Sequence, residues 1–545
     1  MDENIYLSPT VVQWLLPETV VAVAATLILV LAAFVRGSTA WWWLAGASLA
    51  GAALLLAGQT PQAQNLGPVA ADSLAIYFRY ATLALGALFL MIYARSTHPA
   101  QSGEIVAMLL YMVCGTMLVA GSDELVLLFL GLELVSIPTY ILLYLGRHDA
   151  ASQESAVKYF FLSILSSASL LYGFSFLYGI SGSTQLTTIA ETLRAQAADQ
   201  ASWHILGGLA LVLIFAGLGF RIAAVPFHFY APDVYQGTTN SNAAMLAIIP
   251  KVVGFAALIR VAILAMPTLE SYGWRLALIM ALLTMTVGNV LALWQDNLRR
   301  LFAYSSIANA GYMLIGIAAA FAVNLQTGTP GALNGIDAAG CYLVIYSLGT
   351  LGTFAVFTWL GSRERPIEHI SDLEGVGRTH PMSGLMLGVF MFSLAGIPPR
   401  AGFWGKFEVF FAALGVREAQ DASVAGLGNW FVFLVIVGAL NAAIAAAYYL
   451  RIIGHAYFKP ARATPKAEGG SAAFAAGLVA AVLTVVIGIA PGPLLNQADA
   501  VLTPVEAERD IPSAQAPAQA LPPDNAAAEP AAAAPAADRV VRAQP

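Results

Sequence analysis

Between its Gly, Pro and charged breaks the chain divides into fourteen apolar runs, near 10–34, 40–58, 74–94, 103–120, 123–145, 154–180, 203–235, 241–266, 273–294, 299–321, 336–360, 382–415, 427–451 and 472–493. A helix crosses a hydrocarbon core of about 30 Å with about 20 mostly apolar residues, and each run is of that order or longer. The seventh and twelfth runs exceed one crossing and contain prolines, so each is predicted to be two half-helices around a break. The pattern predicts an all-α, polytopic membrane protein of about 14 transmembrane helices.

Composition agrees, with 59% hydrophobic and 10% charged residues in 545, against about 45–50% and about 25% in soluble domains. No soluble domain fits between the runs. The first residues, Met1 to Asn4, are acidic and lack the cationic region of a secretory signal, so the first run is expected to remain as a crossing. Cys114 and Cys341 stand alone in apolar runs and suggest neither a disulfide framework nor a zinc site. The net charge of −6 says little about partners.

Cations fix the expected orientation, because Lys and Arg in short loops stay cytoplasmic. Loops after odd-numbered runs carry twelve: Arg36, Arg95, Arg147, Arg299, Arg300, Arg363, Arg365, Arg378, Arg451, Lys459, Arg462 and Lys466. Loops after even-numbered runs carry three, Arg194, Arg275 and Arg417. Both termini are therefore expected outside the cytoplasm. Residues 511–545 hold 14 Ala and 7 Pro in 35, too little apolar surface to offset the entropy of ordering, and are expected to be disordered.

A small set of ionisable residues stands out inside the apolar runs: Arg79, Glu133, Lys158, Arg221, Lys251, Arg260 and Lys406. A charge at the bilayer centre costs about 2.5–3.5 kcal/mol on insertion scales, so such residues mark ion pathways when they face a wet interior. Glu133 and Lys251 each lie ten residues into a run, a depth of about 15 Å. Asp123 and Glu124, at the mouth of the fifth run, read as solvated end charges. Lys251 follows Pro250, which frees a backbone carbonyl and can kink the helix around a hydrated amine. Lys158 follows Glu154 by four residues, so a surface pair, a snorkelling amine and a relay are equally consistent with its spacing. Arg260 reads as a headgroup anchor, and Arg79 is open to the same reading. In the long runs Arg221 precedes the break at Pro226, with His228 and Asp233 within it, while Lys406 follows the break at Pro398 and Pro399. These breaks are 172 residues apart, which suits a five-helix unit repeated with inverted topology. Lysine and glutamate can each exist charged or neutral once desolvated, the condition for passing a proton along a file.

The segments LGLELVSIPTYILLYLGRHDAASQESAVKYF at 130–160, VPFHFYAPDVYQG at 225–237, PKVVGFAALIR at 250–260, LRRLFAYSSIANAGYMLIG at 298–316 and SLAGIPPRAGFWGKF at 393–407 together resemble subunit N of bacterial NADH–quinone oxidoreductase, complex I, an antiporter-like membrane subunit. The resemblance covers about 75–460. It implies proton translocation coupled to quinone reduction at a distant site, with no cofactor in this chain and with quinone, FMN and iron–sulfur clusters in other subunits. It implies a bacterial inner-membrane location, with the lipid bilayer and membrane subunits of the M, K and J type as neighbours, and no nucleic acid. Carried over by position, Glu133, Lys158, Lys251 and Lys406 are the relay residues. Arg221 stands where the family usually has lysine and Asn309 where relatives often have histidine. Arginine stays protonated, so Arg221 is expected to bias Glu133 as a fixed counter-charge.

The expected layout is helices 1–3 in 1–102, a first repeat of helices 4–8 in 103–266, a second of helices 9–13 in 267–460, a last crossing in 461–500 and the tail 501–545. Competing readings are a subunit of a multi-subunit cation/proton antiporter, a lone solute transporter and a structural spacer subunit. The segment VPFHFYAPDVYQG argues against the first, and the spacer predicts that neutralising Glu133 or Lys406 leaves pumping intact.

Overall fold

Among the described residues, fourteen apolar crossings, two of them broken in two, succeed one another in the order the hydrophobic runs predict. The computed structural model describes residues 8–62, 67–96, 98–147, 149–196, 201–327, 334–362, 364–416, 426–461 and 465–499; the acidic first residues, Arg363, Arg417, Arg462 and the Ala/Pro-rich tail lie outside the described residues. The crossings are α1 (Leu16–Ala32), α2 (Ala40–Ala57), α3 (Ser73–Ser96), α4 (Ser102–Ala120), α5 (Leu125–Gly146), α6 (Ala150–Ser181), α7 (Ala201–Ile222 and Ala231–Gly237), α8 (Asn240–Leu258), α9 (Glu270–Ala292), α10 (Leu298–Thr327), α11 (Asn334–Leu360), α12 (Pro381–Ala395 and Ala401–Leu414), α13 (Leu427–Phe458) and α14 (Ser471–Ile489). Twelve are long and apolar enough to cross a membrane by themselves, and Leu16–Ala32 and Pro381–Ala395 are shorter apolar helices. A short helix, Pro9–Trp14, precedes α1, and Pro17 opens the longer one. The amphipathic helix Leu186–Gln196 joins α6 to α7 and buries Leu186, Ile189 and Leu193. It has only eleven residues and includes Glu191 and Arg194, so no crossing-length run announces it.

Burial sorts the helices into a centre and a rim. α8 is buried along its whole length and α10 and α11 nearly so, whereas α2, α6, α13 and α14 are largely exposed. Exposed apolar residues such as Leu54, Phe161, Leu165, Leu440 and Ile489 suit helices whose outer solvent is lipid. Every side chain of α8 must therefore be met by protein, including that of Lys251. α8 continues into a π-helical turn, Ile259–Leu264, that carries Arg260.

Both long crossings are broken, and protein groups meet much of the backbone freed there. At the first break Val225 N–H donates to Thr284 Oγ1 at 3.0 Å, and the Tyr230 hydroxyl donates to the Phe220 carbonyl at 3.0 Å. Asp233 lies in the second half-helix of α7 rather than in the break. At the second, Gly396 closes the first half of α12 at φ +83°, a left-handed conformation suited to glycine. Ser393 Oγ then accepts from Gly402 N–H at 3.0 Å.

Three charges differ from their sequence readings. Arg260 is buried: it grips Asp72 through two bonds of 2.5 and 2.6 Å and donates to the Ala120 carbonyl, so it does not reach for headgroups. Arg79 is fully buried, with its Nε 2.6 Å from Glu18 Oε1 and its guanidinium over the Trp14 ring. Asp123 is buried as well, accepting from Thr187 Oγ1 at 3.0 Å while its backbone pairs with Pro68 and Leu186, so it is no solvated end charge. Each needed a partner far away in sequence, which spacing within one run does not reveal. Cys114 and Cys341 are both buried and neither is in a disulfide among the described residues.

Candidate functional site

Glu133 and Arg221 meet across α5 and the first half of α7. Arg221 Nη2 donates to Glu133 Oε1 at 3.0 Å, and Ser167 Oγ of α6 donates to the same oxygen at 2.6 Å. The guanidinium also donates to Ser136 Oγ at 2.6 Å and to the Leu132 carbonyl at 3.2 Å. Such a fork of fixed donors suits a permanently charged group better than a proton carrier. Arg221 is 4% exposed, whereas Glu133 is 27% exposed on a face shared with the exposed Leu130 and Ile137. The carboxylate thus opens toward the outside of this chain at mid-helix.

Lys251 sits deeper, on α8, where the local sequence builds its seat. Pro250 has no N–H, so the carbonyl four residues earlier, Leu246, loses its helical partner. Lys251 Nζ donates to that carbonyl at 3.2 Å and to the Tyr235 hydroxyl at 3.1 Å. The side chain beside the freed carbonyl is its donor. Lys251 is 1% exposed, and among the described residues no carboxylate forms an ion pair with it.

Lys406 is held in a related way at the second break. Its ammonium donates to the Leu394 and Ala395 carbonyls at 2.9 and 3.1 Å, closing the C-terminal end of the first half of α12 where the helix dipole favours a cation. Its Nζ also lies 5.0 Å from the centre of the Tyr312 ring. It too is buried, with no carboxylate paired to it among the described residues.

A line of buried hydroxyls and amides lies around α10, between these two lysines. Tyr235 and Tyr346 both lie near Ser306, whose Oγ makes no hydrogen bond among the described residues. The adjacent Ser305 shares a 2.5 Å hydrogen bond with Tyr449, whose ring lies against that of Tyr448, with centroids 4.4 Å apart. Tyr448 donates to Asn289 at 3.0 Å, and Asn289 donates at 3.3 Å to Tyr312, the ring beneath Lys406. Asn309 accepts from Tyr342 at 2.5 Å and donates to the Ser305 carbonyl at 2.7 Å. Ser305, Asn309 and Tyr312 follow the i, i+4, i+7 spacing of one helix face. Sequence reasoning identified only Asn309 here. The signal available was that stripe, together with tyrosines deep in apolar runs whose hydroxyls require partners.

Lys158 lies elsewhere. It is 41% exposed and pairs with Glu154 at 2.6 Å and Asp233 at 3.3 Å. Among the described residues, no hydrogen bond or ion pair links it to Glu133. His228, in the first break, is part-buried and its Nδ1 lacks a hydrogen bond.

A family model described as NADH:quinone oxidoreductase/Mrp antiporter, TM matches residues 122–430. NADH-quinone oxidoreductase subunit N from Trichlorobacter lovleyi is 38% identical over 452 residues, 82% of this chain and 87% of its own length. The subunit N of Rhodospirillum rubrum is 34% identical over 496 residues, 89% of this chain and 96% of its own length. A chain of respiratory complex I from Thermus thermophilus superposes with a TM-score of 0.72 at 31% identity, covering 89% of this chain and 100% of that one. A chain of the Mrp complex from a Dietzia species, at 19% identity and a TM-score of 0.70 over 92% of this chain and 97% of its own, shares the fold.

Proposed function

We propose how this chain moves protons from the premise that it belongs to the antiporter-like subunit N family of NADH–quinone oxidoreductases, and so is a proton-translocating membrane subunit of complex I. Quinone reduction by NADH occurs elsewhere in that complex, and this chain supplies a transmembrane route for the coupled protons. The route runs from Glu133, through Lys251, along the hydroxyl line of α10, to Lys406. Arg221 biases the first station with a charge that does not come and go.

The observation that carries this reading is the contrast in partners. Glu133 has a fixed cation at 3.0 Å, whereas Lys251 and Lys406 are buried on neutral groups, with no carboxylate paired to either among the described residues. A buried ammonium without a counter-ion is costly, so a lysine in such a seat can exchange its proton with the next group. Electron transfer at the quinone needs only to disturb the Glu133 pair for the proton inventory downstream to shift. Among the described residues, Lys158 touches the route only through Asp233, which shares a half-helix with Tyr235.

The outward opening of Glu133 supports a neighbouring membrane subunit on the α5 face, of the M, K or J type, since lipid would leave that carboxylate unsolvated. Breaks in the fourth helix of α4–α8 and the fourth of α9–α13 support reading 103–266 and 267–460 as two inverted repeats, after an N-terminal group in 1–102 and before a last crossing in 461–500. The cation count of the loops supports both termini outside the cytoplasm of a bacterial inner membrane. The residues of this chain supply no redox chemistry, and FMN, iron–sulfur clusters and quinone belong to its partners.

The test replaces Glu133 by Gln and Lys406 by Met, separately, in the assembled complex in membrane vesicles. Protons moved per NADH oxidised should fall in both. If both variants pump like the parent, the chain is a spacer and the route is wrong.

A further inference from the structure

The second half of α7 is seven residues long and presents two functional faces. Asp233 and Tyr235 are two positions apart, about 200° around the helix. Accordingly Tyr235 is buried, with its hydroxyl taking a hydrogen bond from Lys251, while Asp233 is 45% exposed on the other side. The half-helix lies directly against α6 at Gly237, where a Cβ would come within 1.9 Å of Ser155 Oγ.

Two consecutive arginines at the start of α10 hold this element at two points. Arg300 Nη1 donates to Asp233 Oδ1 at 2.8 Å and to Gln236 Oε1 at 3.0 Å. Arg299, 2% exposed, donates to the carbonyl of Thr238, the residue that ends the half-helix, at 2.6 Å. Arg299 is itself fixed by Glu368 at 2.8 Å, and Glu368 also receives Arg147 at 3.1 Å. Lys158 takes the remaining oxygen of Asp233, and Glu154 holds Lys158. A broken helix has no continuous ladder of backbone bonds to fix its second half, so these side chains set where Tyr235 stands.

We infer that Arg299 and Arg300 form a clamp on the second half of α7, with Asp233 as its lever, and that this clamp positions Tyr235 against Lys251. Asp233, Arg299 and Arg300 are positioning residues, acting on the proton relay through Tyr235. Lys158 enters the same device as the second cation on Asp233, so a change of charge at that outer cluster moves the inner acceptor of Lys251. The inference rests on Lys251 being a station of the route proposed above. Loop cations that orient the chain in the membrane thus have a second task.

The experiment measures protons moved per NADH oxidised, as a function of pH, by assembled complexes in membrane vesicles. Asp233→Asn and Arg300→Gln should each lower that ratio by about two- to thirtyfold, the span over which residues between coupled sites alter their coupling. Each should also change the pH profile, while Asp233→Glu and Arg300→Lys restore both in part. In the Asp233→Asn background, Arg300→Gln should add nothing further, because the two act through one contact. Losses that simply multiply, or Asp233→Asn and Arg300→Gln pumping with the parent's ratio and profile, would overturn the clamp. Lys251→Met separates the two ideas: if it pumps normally, the relay reading fails; if it does not pump while Asp233→Asn does, the clamp alone fails.

Discussion

Lys251 donates its proton-bearing nitrogen to the carbonyl of Leu246, the acceptor that Pro250 leaves open by having no N–H. The proline and the lysine therefore form one unit, in which the first creates a polar vacancy inside a buried helix and the second fills it. Replacing Pro250 by Ala restores a backbone donor to Leu246. Helix propensity favours alanine over proline by about 3 kcal/mol in an interior, so the complex should become more resistant to heat by up to that amount. Pumping should fall, because the amine is displaced from one of its two acceptors. Thermal inactivation and proton uptake, read on the same vesicles, should move in opposite directions; a variant that pumps as well as the parent would show that the Leu246 seat is incidental.

The bond pattern of Arg221 predicts an asymmetry between its substitutions. Arg221→Lys keeps the charge but gives up the fork to Ser136, Leu132 and Glu133, so pumping should drop modestly and should not rise. Arg221→Met leaves Glu133 without its cation and should lower pumping well below the level of the lysine variant. A large gain in the lysine variant would mean that arginine had been an impaired relay and not a counter-charge.

The helices and the mid-depth charges were legible because lipid writes them plainly: twenty apolar residues in a row, and a carboxylate or an amine where none should be. All fourteen runs became apolar helices, and the two over-long runs broke at their prolines. What sequence did not disclose was partnership. Arg260 and Asp72 are 188 positions apart and Glu18 and Arg79 are on different helices, so nothing local distinguishes a buried pair from a headgroup anchor. Tyr235, Tyr312, Tyr342, Tyr346, Tyr448 and Tyr449 also escaped notice. A tyrosine in an apolar run reads equally as a membrane-interface residue, and only the folded chain brings these hydroxyls together around α10.

Asp72, just before α3, ties the C-terminal end of α8 to the N-terminal helices through Arg260. Burial pushes its carboxyl up, but the charge and hydrogen bonds of Arg260 outweigh burial and hold it below the ordinary carboxylate value. A group depressed in the folded state stabilises above its unfolded pKa of about 3.9 and loses that contribution as pH falls through the folded value. Asp72→Asn should cost about 1–3 kcal/mol, less than the roughly 3–5 of a fully buried pair because a third of the Asp72 side chain is exposed. The stability gap between parent and variant should stay flat from about pH 8 to about pH 5 and close only below about pH 4. Proteolytic resistance of the solubilised complex measures it, and a gap that closes near neutrality would assign the stabilisation to another group.

Lys406 permits a cleaner separation of structure from proton transfer. Its two acceptors, the carbonyls of Leu394 and Ala395, are the unpaired ends of a helix inside the protein, and leaving each without a donor costs about 1–3 kcal/mol. Lys406→Met removes both the donor and the proton, so it should lower stability and abolish pumping together. Lys406→Arg keeps a cation and several N–H donors at the same break, yet arginine does not release its proton at working pH. The arginine variant should therefore assemble with near-parent stability and still fail to pump. If Lys406 were only a cap, the arginine variant would pump while the methionine variant failed, so the ratio of protons to NADH would stand higher in the arginine variant instead of being lost in both. That ordering depends on whether a proton must leave the nitrogen at position 406, and not on how well the broken helix is held.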